Sequence, residues 1–144
     1  PHISGDALDV VGGVVLTGSW RSHDQLELWD FGSGQLIEGV NWYGSSSHFG
    51  SVGHQPCNLY TAQFSKESPG GSPRFIVGGG SGGNEAKVFD HGRGNEVVGS
   101  VTGLGGGVFA ADFSPKGDRD GHTVAIGGGD ATIRIIDILP VPAR

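Results

Sequence analysis

The chain contains no methionine, a single cysteine, and only nine lysine and arginine residues against fifteen aspartate and glutamate, for a formal net charge of −6. Each scarcity removes a class of explanation. The negative balance argues against non-specific attraction to nucleic acid or to an anionic membrane surface. Cys57 has no second cysteine with which to form an internal disulfide, which fits a reducing compartment. No apolar run approaches a membrane span, and the N-terminus lacks the basic-then-apolar pattern of a signal peptide, so no membrane insertion is expected. Without methionine and starting at Pro1, the 144 residues read as a segment of a larger chain. Stretches free of glycine are also scarce: 19–31, 54–69 and 130–144 are the only ones longer than a dozen residues. None of them carries an apolar period of about 3.6 residues, so helix is expected to be minor.

Glycine and proline, 29 and 7 residues, make up a quarter of the chain and border on low-complexity composition. Leucine, isoleucine, valine and phenylalanine together number 37, which is enough apolar volume to build a core. Those residues gather in short runs rich in β-branched and aromatic side chains, bounded by Gly, Asp, Asn or Ser, which is the signature of strands. Eleven such runs are expected to be strands: Ala7–Val11, Val14–Thr17, Gln25–Trp29, Leu36–Val40, Leu59–Phe64, Phe75–Val77, Ala86–Phe89, Val97–Val101, Val108–Phe113, Thr123–Ile126 and Thr132–Ile136. Gly12-Gly13 suits a two-residue hairpin between the first pair.

The runs repeat. Residues 18–39 align without a gap on residues 78–99 at an offset of 60, sharing Gly18/Gly78, Asp30/Asp90, Gly32/Gly92, Gly34/Gly94 and Gly39/Gly99. A third copy follows 47 residues later, where Ile133–Asp137 matches Ala86–Asp90. Each unit reads as three strands, an Asp-Gly type turn and a fourth strand, the pattern of a propeller blade.

The segments LTGS…LELWDFGSG and GVFAADFSPKG…VAIGGGDATIRIID resemble WD40 repeats, and the resemblance covers nearly the whole chain. The Trp-Asp pair itself stands at Trp29-Asp30, with Phe89-Asp90 and Ile136-Asp137 in the same place in the other units. The resemblance implies an all-β fold of three consecutive four-stranded antiparallel blades of a WD40-like β-propeller, the last blade lacking its outer strand. The implied boundaries are blade one at 1–42, an inter-blade loop at 43–58, blade two at 59–102, blade three at 108–137 and a tail at 138–144. It also implies a buried polar group in blade one, built from His2, Thr17 or Ser19, Asp24 and Trp29. Blade two has Asn84 in place of Asp24, and blade three keeps Asp130 in its turn. Hydroxyls at the positions of Thr17 and Ser19 are replaced by Val77 and Gly79, and by Ile126 and Gly128.

Gly78-x-Gly80-x-x-Gly83 has the spacing of a dinucleotide fingerprint, and Gly79-Gly80-Ser81-Gly82-Gly83 that of a nucleophile elbow. Both require a helix immediately after the loop. The segment is instead expected to be a permissive turn between two strands. His48, His54 and Cys57 are too few, at unsuitable spacing, for a structural zinc site. No metal, cofactor or catalytic residue is expected. Ser68-Pro69 and Ser72-Pro73 are potential phosphate acceptors that also form turns.

In a propeller the connection between blades and the turn between strands two and three emerge on one face. Blade one is enlarged at both, at Trp20–Asp24 and Tyr43–Asn58. Residues 1–58 also hold Asp6, Asp9, Asp24, Glu27, Asp30 and Glu38 against Arg21 alone, which favours a basic partner segment. Trp20, Arg21, His23, Tyr43 and His48 are therefore the candidate partner-binding residues. The expected function is a non-catalytic protein–protein interaction scaffold, a segment of a larger intracellular, cytoplasmic or cytoskeleton-associated WD40-repeat protein. Its partners would be other proteins and the remaining blades. Two alternatives are a structural subunit of a large cytoskeletal or ciliary assembly, and a cofactor-binding domain or hydrolase using Gly78–Gly83.

Overall fold

β-branched runs separated by glycine-bearing turns pair with their sequence neighbours, since closing a short loop costs little chain entropy. The computed structural model, which describes residues 1–44, 55–67, 70–115 and 122–139, shows this outcome throughout. Eleven strands lie among the described residues: β1 (Leu8–Val11), β2 (Val14–Gly18), β3 (Leu26–Asp30), β4 (Leu36–Val40), β5 (Cys57–Phe64), β6 (Phe75–Gly82), β7 (Glu85–Asp90), β8 (Glu96–Val101), β9 (Val108–Phe113), β10 (His122–Gly128) and β11 (Ile133–Ile138). A 3-10 turn, His91–Arg93, follows β7. The strands form three antiparallel meanders, β1-β2-β3-β4, β5-β6-β7-β8 and β9-β10-β11. Ile138, expected in the tail, is the last residue of β11 and pairs with His122.

The repeat written in the sequence is also written in the backbone. Asp24, Asn84 and Ala131, spaced as the units are spaced, all take left-handed conformations, with φ of 46°, 47° and 61°. Gly34 and Gly94 do so in the next turn of the first two sheets, at 70° and 69°. A register shift falls between Leu28 and Trp29 in the first sheet and between Val88 and Phe89 in the second. Gly12 and Gly13, with φ of 58° and 79°, make the hairpin turn that needs two positive φ angles.

Gly78–Gly82 departs from expectation, because it is the second half of β6 and not a turn. The cause is close approach. A Cβ on Gly78 would stand 2.8 Å from the Trp42 ring, one on Gly79 2.5 Å from Val108, and one on Gly80 1.9 Å from the Asn58 carbonyl. The turn proper is at Gly83-Asn84, and β7 follows directly. Neither the dinucleotide fingerprint nor the nucleophile elbow therefore has the helix its mechanism needs.

Two apolar clusters lie between the sheets. The first joins Leu16, Leu26, Leu28 and Val40 of one sheet to Leu59, Phe64, Ile76 and Phe89 of the next. Trp42, 1% exposed, wedges between them. Its indole donates to Glu85 Oε1 at 2.7 Å, its ring lies 5.7 Å from that of Phe89, and Lys87 Nζ stands 5.3 Å over it. The second cluster packs Phe75, Val77, Ala86 and Val88 against Val108, Phe113, Val124 and Ile126.

Candidate functional site

Because every sheet is an up-and-down meander, alternate connections emerge at the same end. One rim therefore gathers the segment before β1, the β2–β3 turn, the β4–β5 connection, and the β6–β7, β8–β9 and β10–β11 turns. Hydrogen bonds knit it together: Leu59 N donates to Ser19 O at 3.0 Å, Asn84 Nδ2 to Leu104 O at 3.4 Å, and Gly129 N to Gly107 O at 2.8 Å. The opposite rim is held by Glu67, whose Oε1 accepts from Ser65 Oγ at 3.0 Å and lies 2.7 Å from His122 Nε2. Burial pushes the Glu67 carboxyl up, but the bonds from His122 and Ser65 outweigh it and hold the group below its ordinary value.

The expected polar group of the first sheet divides. Trp29 Nε1 donates to Thr17 Oγ1 at 3.0 Å, so these two residues are brought together. Ser19 Oγ accepts instead from the His2 backbone N at 3.2 Å, while the His2 ring lies edge-on to Trp20 at 6.1 Å. Asp24 does not join the expected group. It is exposed, and its carbonyl accepts from Arg21 Nη2 at 2.8 Å. It sits in a left-handed turn that Asp tolerates, at φ 46°.

The candidate partner-binding residues also separate by role. Trp20 is 38% exposed and His23 is exposed. Arg21 is held by Glu27 at 3.0 Å and by the carbonyls of His23 and Asp24. Tyr43 is a strut: its hydroxyl accepts from Gln25 Nε2 at 3.2 Å and from Cys57 N at 3.3 Å, and burial raises its pKa. These bonds join the β2–β3 turn to the start of β5, so the described ends of the β4–β5 connection, Tyr43 and Cys57, stand beside that turn. His48 lies outside the described residues.

No protein-family model matches the chain, and no curated protein matches it by sequence. Among solved structures it is similar to the Cps50 (Swd1) beta-propeller domain of Myceliophteria thermophila, with a TM-score of 0.54 at 14% identity. The match covers 100% of this chain and 40% of that one. The chain has the fold of part of a β-propeller.

In this partial propeller β1, β5 and β9 are the inner strands and the sheets are blades. Sequence reasoning missed the inner-strand aromatics Tyr60 and Phe109, whose rings meet edge to face at 4.9 Å. Trp20 extends the row, 6.1 Å from Tyr60. The one available signal was that both rings precede a phenylalanine by the same interval, Tyr60 before Phe64 and Phe109 before Phe113. Between the second and third blades, at their outer edge, a cleft of about 340 Å³ opens between β8 and β11, lined by Val98, Val101, Ile136, Ile138 and Arg74.

Proposed function

We propose that this partial propeller is a non-catalytic protein-interaction scaffold that works through the rim carrying Trp20. The observation that carries the reading is the composition of that rim. Three blades bring their turns together there, and large aromatic side chains stand exposed among them, with Trp20 at 38% and Phe109 at 44%. Aromatic residues are the usual anchors of protein interfaces, because they bury much apolar area for little entropy. The cleft beside β11 supports a second contact, in which a further strand or blade of the parent protein completes the third blade. The test is partner capture by the intact protein carrying Trp20→Ala with His23→Ala, against a control altered at the opposite rim, Lys66→Ala with Arg93→Ala. Loss with the first pair and retention with the second supports the reading. The reverse pattern overturns it.

A further inference from the structure

Tyr60 and Phe109 occupy unusual backbone positions. The ladder between β5 and β6 pairs Leu59 with Gly80 and Thr61 with Gly79, so Tyr60 is an extra residue on its strand. The ladder between β9 and β10 pairs Val108 with Gly128 and Ala110 with Gly127, so Phe109 is extra in the same way. A bulged residue leaves the ladder and its side chain is re-aimed, which is why bulges accompany functional positions. Glycines clear space for both rings. A Cβ on Gly5 would stand 3.1 Å from Tyr60 Cδ1, and Cβ atoms on Gly107 and Gly129 would stand 2.9 and 2.8 Å from Phe109 ring atoms. Two blades thus bend their inner strands to present a ring, and the first supplies Trp20 from its turn to continue the row. Leaving such rings in contact with water costs free energy unless something covers them.

Charge says what that is. The two arginines at this rim are already neutralised, Arg21 by Glu27 at 3.0 Å and Arg134 by Asp130 at 2.9 Å. Asp24 is exposed in the turn that carries Trp20, Asp6 is exposed further along the inner strand beside Ala62, and the chain carries a net −6. Aromatic faces attract cations, most strongly when solvent is displaced.

We propose that Trp20, Tyr60 and Phe109 seat an arginine or lysine side chain of a basic linear peptide, with Asp6 and Asp24 drawing it in. This rests on the scaffold reading and names the chemistry of the partner. The probe is an end-capped peptide of alternating glycine and arginine, compared with its neutral citrulline counterpart by calorimetry on the intact protein, with the Trp20 indole N–H signal followed by nuclear magnetic resonance. The arginine peptide is expected to bind and shift that signal, and the citrulline peptide to bind roughly tenfold or more weakly. Trp20→Leu and Phe109→Leu leave the charge unchanged and should each weaken the arginine peptide by roughly two- to thirty-fold. Tyr60→Phe should retain binding. Trp20 lies in a turn, so its variant remains informative should Phe109→Leu fail to fold. Equal affinity of the leucine variants and the parent would mean diffuse charge attraction and overturn the proposal. Equal affinity of the two peptides, marking an apolar groove, would also overturn it. If the peptides fail while Trp20→Ala with His23→Ala still abolishes partner capture, only the cationic assignment falls. If that pair leaves capture intact, the scaffold reading falls and takes the proposal with it.

Discussion

Removing the Thr17 hydroxyl would leave the Trp29 indole N–H without its acceptor at 3.0 Å. Thr17→Val should therefore cost about 1 kcal/mol, read from the urea midpoint. Asp24→Asn should change stability by less than about 0.5 kcal/mol, because its side chain is exposed and asparagine tolerates the same left-handed backbone. The contrast checks the division of the polar group. Cys57 offers a second test at this scale. It is fully buried, and burial, helped by the nearby Glu85, pushes its thiol from 9.0 up to about 12. A thiol whose pKa is raised on folding contributes stability below its unfolded value and loses that contribution as pH climbs toward the folded one. Native protein should thus react slowly with a thiol reagent at mild pH, react fully once unfolded in urea, and weaken above pH 9. Residue identities were legible in the sequence, but side-chain directions were not. Thr17 and Trp29 are diagonal neighbours across the paired β2 and β3, whereas Asp24 is exposed in the turn between them.

At the scale of elements, Glu67 and His122 tie the β5–β6 connection to the start of β10 at 2.7 Å. A carboxyl held low in the folded state lends stability above its ordinary value of 4.5 and loses it as pH falls through the folded value. Acidifying from about pH 7 to about pH 3 should therefore destabilise the parent more than Glu67→Gln, compared by urea midpoints at the two pH values. The strands were legible because β-branched alternation and glycine-bearing turns are local signals, and all eleven expected runs overlap an observed strand. The extension of β6 through Gly82 was not. Locally its glycines look like a turn, and only Trp42, Val108 and Asn58, arriving from other strands, explain why they lack side chains. The bulges at Tyr60 and Phe109 escaped for the same reason, since they are defined by the neighbouring strand.

For the whole molecule, the repeat offsets made the division into three sheets readable, and the solved propeller domain bears out that architecture. The aromatic row was not readable, because Trp20, Tyr60 and Phe109 meet only when separate blades stack. Both ends of the stack are apolar. Leu8 and Val10 are exposed on the first blade, and Ile133, Ile135 and Leu139 are 76%, 67% and 77% exposed on the third. Beyond β11 no further strand pairs among the described residues. The 144-residue chain expressed by itself is therefore expected to self-associate. Sedimentation velocity over rising concentration checks this, and a monomer throughout would show that the open faces are tolerated in water.

The glycine half of β6 has a genetic consequence. Any missense change in a glycine codon adds at least a Cβ, so at Gly78, Gly79 and Gly80 no replacement is mild. At Gly39, where nothing lies within 4 Å, substitution is unobstructed. Inherited variation should accordingly be sparse along one short stretch of coding sequence and common at the glycine of β4, a strand of the first sheet. Identical residues in one protein would then carry very different allelic histories, set by how near the next chain segment passes.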